Sequence, residues 1–226
     1  MKYLIDTASP EKAREILDYY PAEGVTTNPA IVTREKCDFK NMLIKMREAI
    51  GNDKMLHVQT LQTEYGCMVN EACALRELLG ENFYVKLPAN PDGLRACREL
   101  KALGINVTMT AIFSAQQALI AARAGADFVA PYVNKLDDVG DGEECVAKIV
   151  KLFDTFKLPT KVLSASFRNV EQVTRVALSG SHYITLPPAF YEKLIYHPMT
   201  ELAIEGFQND WKGVYGDKKP IDLIKE

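Results

Sequence analysis

Residues 83–89, Phe-Tyr-Val-Lys-Leu-Pro-Ala, set one lysine in an otherwise apolar run. Phe83, Tyr84, Val85 and Leu87 favour a strand, and Pro88, which has no amide to offer a ladder, predicts its end. On an interior strand Lys86 points into a space where charge is costly, which lowers its pKa and leaves a neutral amine. Such an amine is a nucleophile toward a carbonyl carbon. More polar side chains stand at or near the ends of other short apolar runs: Asp6, Thr26 and Asn28, Gln59, Thr110, Tyr132 with Lys135 just beyond it, and Ser166 with Arg168. Singly, each has an ordinary structural use. Asp6 could cap a helix, Thr110 could simply favour a strand, and Lys86 could pair with Asp6. Turned inward together, these side chains make a costly core unless they form a hydrogen-bonded site.

The elements that must gather them are legible as a repeat. Runs at 2–6, 24–28, 55–60, 83–88, 106–112, 128–133, 161–167 and 182–187 are rich in strand formers, and longer stretches of helical spacing lie between them. Asp92, Ser114 and Asn169 are good N-cap types, and Gly104, Gly125 and Gly180 suit the left-handed position that closes a helix. Eight such units without a Ser/Gly/Pro-rich linker predict a single-domain (β/α)8 TIM barrel over residues 1–226, with an extra C-terminal helix at about 198–212. An open doubly wound sheet is the alternative, but the GxGxxG fingerprint and the P-loop are both missing. In a barrel the active site is built at the C-terminal strand ends, where the polar residues named above fall. The C-terminal helix offers Leu202, Ile204, Phe207 and Trp211 for burial, either on its own barrel or on a neighbouring subunit.

Bulk properties narrow the chemistry. The chain is 47% hydrophobic and 25% charged with a formal net charge of -3, and its 27 basic residues are scattered rather than blocked. That pattern suits small-molecule work and argues against nucleic acid or a membrane surface as partner. The opening residues carry no apolar signal core and no run approaches a membrane span, so a cytoplasmic protein is expected. Five cysteines, odd in number and without CxxC spacing, read as free thiols. The histidines, His57, His182 and His197, are dispersed, which leaves little support for a metal site or a zinc-dependent aldolase.

The stretches LIDTA, GVTTNPAIV, VKLP, GLRACRELKALGI, TAIFSAQQALIAARAGADFVAPYV and SASF resemble the small transaldolase and fructose-6-phosphate aldolase family. Deoxyribose-phosphate aldolases carry their lysine in a different motif and are not matched. The resemblance implies a (β/α)8 barrel with Lys86 as the Schiff-base residue and no metal or organic cofactor. It implies Gln59, Thr110 and Tyr132 around a held water, Tyr132 in proton transfer, and Asp6 and Asn28, supported by Thr26, at donor hydroxyls. Ser166 and Arg168 correspond to the anion-binding end of strand seven. Transaldolases of the family usually have Glu and Phe where this chain has Gln59 and Tyr132, so the resemblance leans toward an aldehyde-lyase that cleaves fructose 6-phosphate to dihydroxyacetone and glyceraldehyde 3-phosphate. The alternatives are a transaldolase of the pentose phosphate pathway and a non-catalytic sugar-binding barrel. Lys135 stands where the family usually has Arg, which keeps the charge and loses the bidentate fork. The resemblance also implies sugar-phosphate substrates and a homo-oligomer, a pentamer or a decamer of two stacked pentamers.

Overall fold

A computed structural model describes residues 1–225 and turns the apolar runs into eight parallel strands. These are β1 (Lys2–Asp6), β2 (Ala22–Thr26), β3 (Met55–Gln59), β4 (Phe83–Pro88), β5 (Asn106–Ile112), β6 (Phe128–Pro131), β7 (Lys161–Ser164) and β8 (Tyr183–Leu186). They pair in chain order and β8 returns to β1, closing a barrel. Helices α1 (Pro10–Tyr19), α2 (Pro29–Glu35), α3 (Phe39–Ile50), α4 (Tyr65–Leu79), α5 (Pro91–Ala102) and α6 (Ala115–Arg123) follow the first five strands. After β6 come α7 (Val133–Asp137) and α8 (Gly142–Thr155), then α9 (Val170–Leu178) after β7 and α10 (Pro188–Ile195) after β8. Two more helices, α11 (Pro198–Tyr215) and α12 (Pro220–Ile224), end the chain.

The chain divides into two compact units, Met1–Tyr191 and the segment from Glu192 onward. In the first, Leu4, Phe128 and Leu163 form a buried cluster, with Met55, Tyr84 and Tyr183 packed on it. In barrel geometry this apolar plug fills the interior at the N-terminal ends of the strands and leaves the C-terminal ends for polar side chains. Below the helices, Arg47 is buried and donates to four backbone carbonyls, those of Leu79, Gly51, Lys54 and Asn82. One guanidinium thus ties the C-terminal end of α3 to the loops that enter β3 and β4.

Local chemistry sets the element ends. Ser114 and Asn169 cap α6 and α9, and Gly104, Gly125 and Gly180 take positive φ after helices, as expected. At α5 the cap is Asn90 rather than Asp92, because Pro91 already fits the first helical position and Asn90 Oδ1 accepts from the Gly93 amide at 2.8 Å. Gly93 is required there, since a Cβ would collide with the Pro88 carbonyl oxygen at the end of the lysine-bearing strand. In the second unit α11 is capped by His197, and Trp211 donates to the Lys218 carbonyl at 2.7 Å. Leu202, Ile204 and Phe207 are exposed in the chain, and Trp211 is partly covered. No helix among the described residues is long and apolar enough to cross a membrane.

Candidate active site

Lys86 is 6% exposed on β4, and its Nζ donates to the main-chain carbonyl of Thr27 at 2.7 Å. Burial pushes its pKa below the ordinary lysine range, and the Asp6 charge works weakly the other way. The direct Lys86–Asp6 ion pair weighed from the sequence is not what anchors the amine. Asp6 Oδ1 instead accepts from Thr26 Oγ1 at 2.7 Å, and Thr26 shares a 2.6 Å contact with Thr185 Oγ1. Burial raises the Asp6 pKa, against the lowering effects of Lys86 and the Thr26 hydroxyl. A carboxyl and an amine whose pKa values are moved toward each other by enclosure can exchange protons with a substrate.

Strand register places the other candidates around this pair. Gln59 lies beside Lys86 on β3, and Thr108 lies beside it on β5. One step further out, Thr110 pairs with Pro88, and its hydroxyl meets the Tyr132 phenol at 3.0 Å. Burial raises the Tyr132 pKa, while the Thr110 contact lowers it. The ring stands edge-on to Phe113 with centroids 5.6 Å apart. This aim depends on a break in the β5–β6 ladder, where Ala111 adopts φ 56° between Thr110 and Ile112. Tyr132 sits just past β6 and begins α7.

Asn28 takes on a second task. It caps α2, with Oδ1 accepting from the Ile31 amide at 3.1 Å, a bond that does not use its amide nitrogen. At the opposite side of the rim the Ser166 carbonyl accepts from Asn134 N at 2.8 Å, and Ser166 itself has φ 64°. Arg168 and Lys135 are both exposed and converge on the carboxylate of Asp138, at 3.3 Å and 3.9 Å.

Three neighbours of the site are not among the residues singled out for it from the sequence, although His57 is noted there as one of the dispersed histidines. The Thr27 carbonyl carries no side-chain signal at all. Thr185 at the end of β8 could have been found by the rule that found Thr110. His57 is fully buried, stacked on Tyr84 at 4.5 Å, and its Nδ1 meets Thr108 Oγ1 at 2.9 Å. Because β3 and β5 flank β4, that contact passes across the inner face of β4 and forms a floor between Tyr84 and Lys86. Burial, followed by the Lys86 charge, holds the His57 pKa well below the usual histidine value and keeps the ring neutral.

The arrangement brings together groups that imine chemistry uses: a buried amine whose pKa is lowered, a carboxyl whose pKa is raised, and a phenol. Two solved structures share the fold at low identity. A flavocytochrome b2 double variant with sulfite bound aligns with TM-score 0.59 at 12% identity, over 84% of this chain and 57% of that one. A native KDPGal structure aligns with TM-score 0.57 at 13% identity, over 81% and 80%. In sequence, a probable transaldolase of Nitrosopumilus maritimus is 37% identical over 99% of this chain and 100% of its own length. A probable transaldolase of Symbiobacterium thermophilum is 39% identical over 96% and 99%. The profile of the transaldolase/fructose-6-phosphate aldolase group matches residues 3–218. A full-length match of this kind, on a barrel with a buried lysine at its strand-four end, means that the chain belongs to the transaldolase/fructose-6-phosphate aldolase family.

Proposed function

We propose that the chain is a Schiff-base enzyme acting on ketose phosphates, with Lys86 as nucleophile, and that it transfers a dihydroxyacetone unit between sugar phosphates as a transaldolase. The observation that carries the covalent step is the burial of Lys86, anchored to a main-chain acceptor at 2.7 Å rather than neutralised by a carboxylate. The neutral Nζ adds to the C2 ketone, and water leaves to give an iminium. Asp6 takes the C4 hydroxyl proton, the C3–C4 bond breaks, the C4 fragment departs as an aldehyde phosphate, and the electron pair of the broken bond passes to the iminium nitrogen to leave an enamine. The enamine carbon then attacks an acceptor aldehyde, and hydrolysis frees the lysine. Asn28 and Thr26 hold donor hydroxyls, while Ser166, Arg168 and Lys135 receive the phosphate.

Transfer, rather than the simple cleavage to which the sequence leaned, is favoured by the names of the relatives. Cleavage to free dihydroxyacetone is the second reading, and a specific observation favours it. In that reading the Tyr132 phenol, which meets Thr110 Oγ1 at 3.0 Å, protonates the enamine, and Gln59 stands beside Lys86. Both readings predict a borohydride-trapped adduct on Lys86 with fructose 6-phosphate. They separate in product analysis. Transfer requires the three-carbon unit to appear on added erythrose 4-phosphate and little release without it; dihydroxyacetone formed at the same rate with no acceptor would favour the lyase. Absence of any adduct on Lys86 would remove both. The exposed apolar residues Leu202 and Phe207 of α11 support a homo-oligomer, which sedimentation of the full chain tests.

A further inference from the structure

The two cations that follow β6 and β7, Lys135 and Arg168, do not stand free. Arg168 Nη1 lies 3.3 Å from Asp138 Oδ1, and Lys135 Nζ lies 3.9 Å from Asp138 Oδ2, so one carboxylate spans both. Its neighbour Asp137 has a different occupation. Asp137 Oδ1 accepts from the Gly142 amide at 2.7 Å and Oδ2 accepts from Gln172 Nε2 at 2.6 Å. Gln172 in turn accepts from the Arg168 amide at 2.7 Å, which fixes the backbone that carries the guanidinium. Asp138 itself is held in place by its amide, which donates to the Asn134 carbonyl at 3.1 Å at the end of α7. The framework therefore presents three charges at one spot, two positive and one negative, instead of a bare pair of cations.

We infer that Asp138 is a specificity-determining residue: it occupies the two cations in the free enzyme, so a phosphorylated sugar binds only by competing with it. This rests on the reading that this rim receives the substrate's phosphate. The side chains of Arg168 and Lys135 are 63% and 61% exposed, so they can swing from Asp138 to an incoming ligand without breaking the fold. A phosphate monoester is a dianion near neutral pH and feels the carboxylate twice as strongly as a monoanion would. An unphosphorylated ketose feels almost none of it. The consequence is a narrower preference for phosphorylated substrates than Arg168 and Lys135 alone would give, with unphosphorylated donors or acceptors kept within the enzyme's range.

The test is Asp138→Asn in the full chain, which keeps the shape and removes the charge. The readout is the ratio of kcat/KM for fructose 6-phosphate to kcat/KM for fructose, together with the inhibition constant of inorganic phosphate. One unit charge a few ångströms from a dianion, in water and partly screened, predicts a rise in the ratio of about three- to tenfold and a fall in the phosphate constant of similar size. Asp138→Ser should move both in the same direction. A ratio that stays put or falls in both variants overturns the inference, even if phosphate inhibition persists. If the native chain forms no borohydride adduct on Lys86 with fructose 6-phosphate, the parent reading fails and this one with it. If the adduct forms and the ratio does not move, only the role of Asp138 fails.

Discussion

Removing the Thr110 hydroxyl separates the fate of the intermediate from its formation. Thr110 is fully buried, and Thr110→Val nearly preserves its shape while deleting the 3.0 Å contact to the Tyr132 phenol. A neutral hydrogen bond of this kind contributes about 1 kcal/mol net, and a tenfold rate change corresponds to about 1.4 kcal/mol. If the bond is expressed in the proton transfer from Tyr132, kcat for release of dihydroxyacetone falls by about five- to tenfold. The variant also loses the influence that lowers the Tyr132 pKa against the upward push of burial. A phenol that must be protonated to act then stays competent to higher pH, so the basic limb of the release rate moves up. Lys86 and its Thr27 anchor are untouched, so the borohydride-trapped adduct should form at close to the native rate. Steady-state release, its pH profile and the trapping time course together form the assay. A release rate within twofold of native, or trapping that declines in parallel with release, would refute the assignment of Thr110 to the proton-transfer step.

The remaining predictions concern the nucleophile, the partition and the barrel base. Lys86→Met should keep the barrel and abolish both adduct and turnover, checked by circular dichroism and trapping. Because the folded Lys86 pKa is lowered, the unfolded chain binds a proton that the folded chain lacks over the window below the ordinary lysine value near 10.4. Native stability is penalised there, so the melting-temperature gain of Lys86→Met should be larger at pH 7 than at pH 10; a gain that grows with pH would contradict the sign. Gln59→Glu combined with Tyr132→Phe should raise transfer relative to release in the two-product assay, and an unchanged ratio would show that these positions do not set the partition. Arg47→Met strips donors from four carbonyls and should cost about 3–5 kcal/mol, a fall of about 10 °C in Tm by calorimetry. A fall below 2 °C would show that the carbonyls find other donors.

How much of this was legible in the residues follows from what sequence encodes. The eight strand cores and the buried lysine are local patterns, because a lysine in a run of strand formers is visible without knowing its neighbours. Strand ends were read too long where tertiary demands intervene. The strand-former run at 24–28 lies two residues late: β2 begins at Ala22 and ends at Thr26, and Asn28 leaves the ladder to cap α2. β6 was read to residue 133, but Tyr132 opens α7, and β7 stops at Ser164, two residues before Ser166 turns to positive φ. The partners of the site residues were out of reach for a different reason. That Thr26 meets Thr185, 159 positions away, or that His57 reaches Thr108 across β4, depends on register between strands, which no single strand announces.

The hydrogen bond from Lys86 to the carbonyl of Thr27 has a further consequence. A main-chain oxygen is supplied by every amino acid, so no replacement at position 27 deletes it unless the replacement also shifts β2. Gln59 and Tyr132, the side chains proposed to decide what becomes of an enamine, have no such insurance. On the proposed mechanism, heritable variation would rewrite the outcome of the reaction one codon at a time while Lys86 Nζ stays anchored by a contact that mutation cannot easily reach.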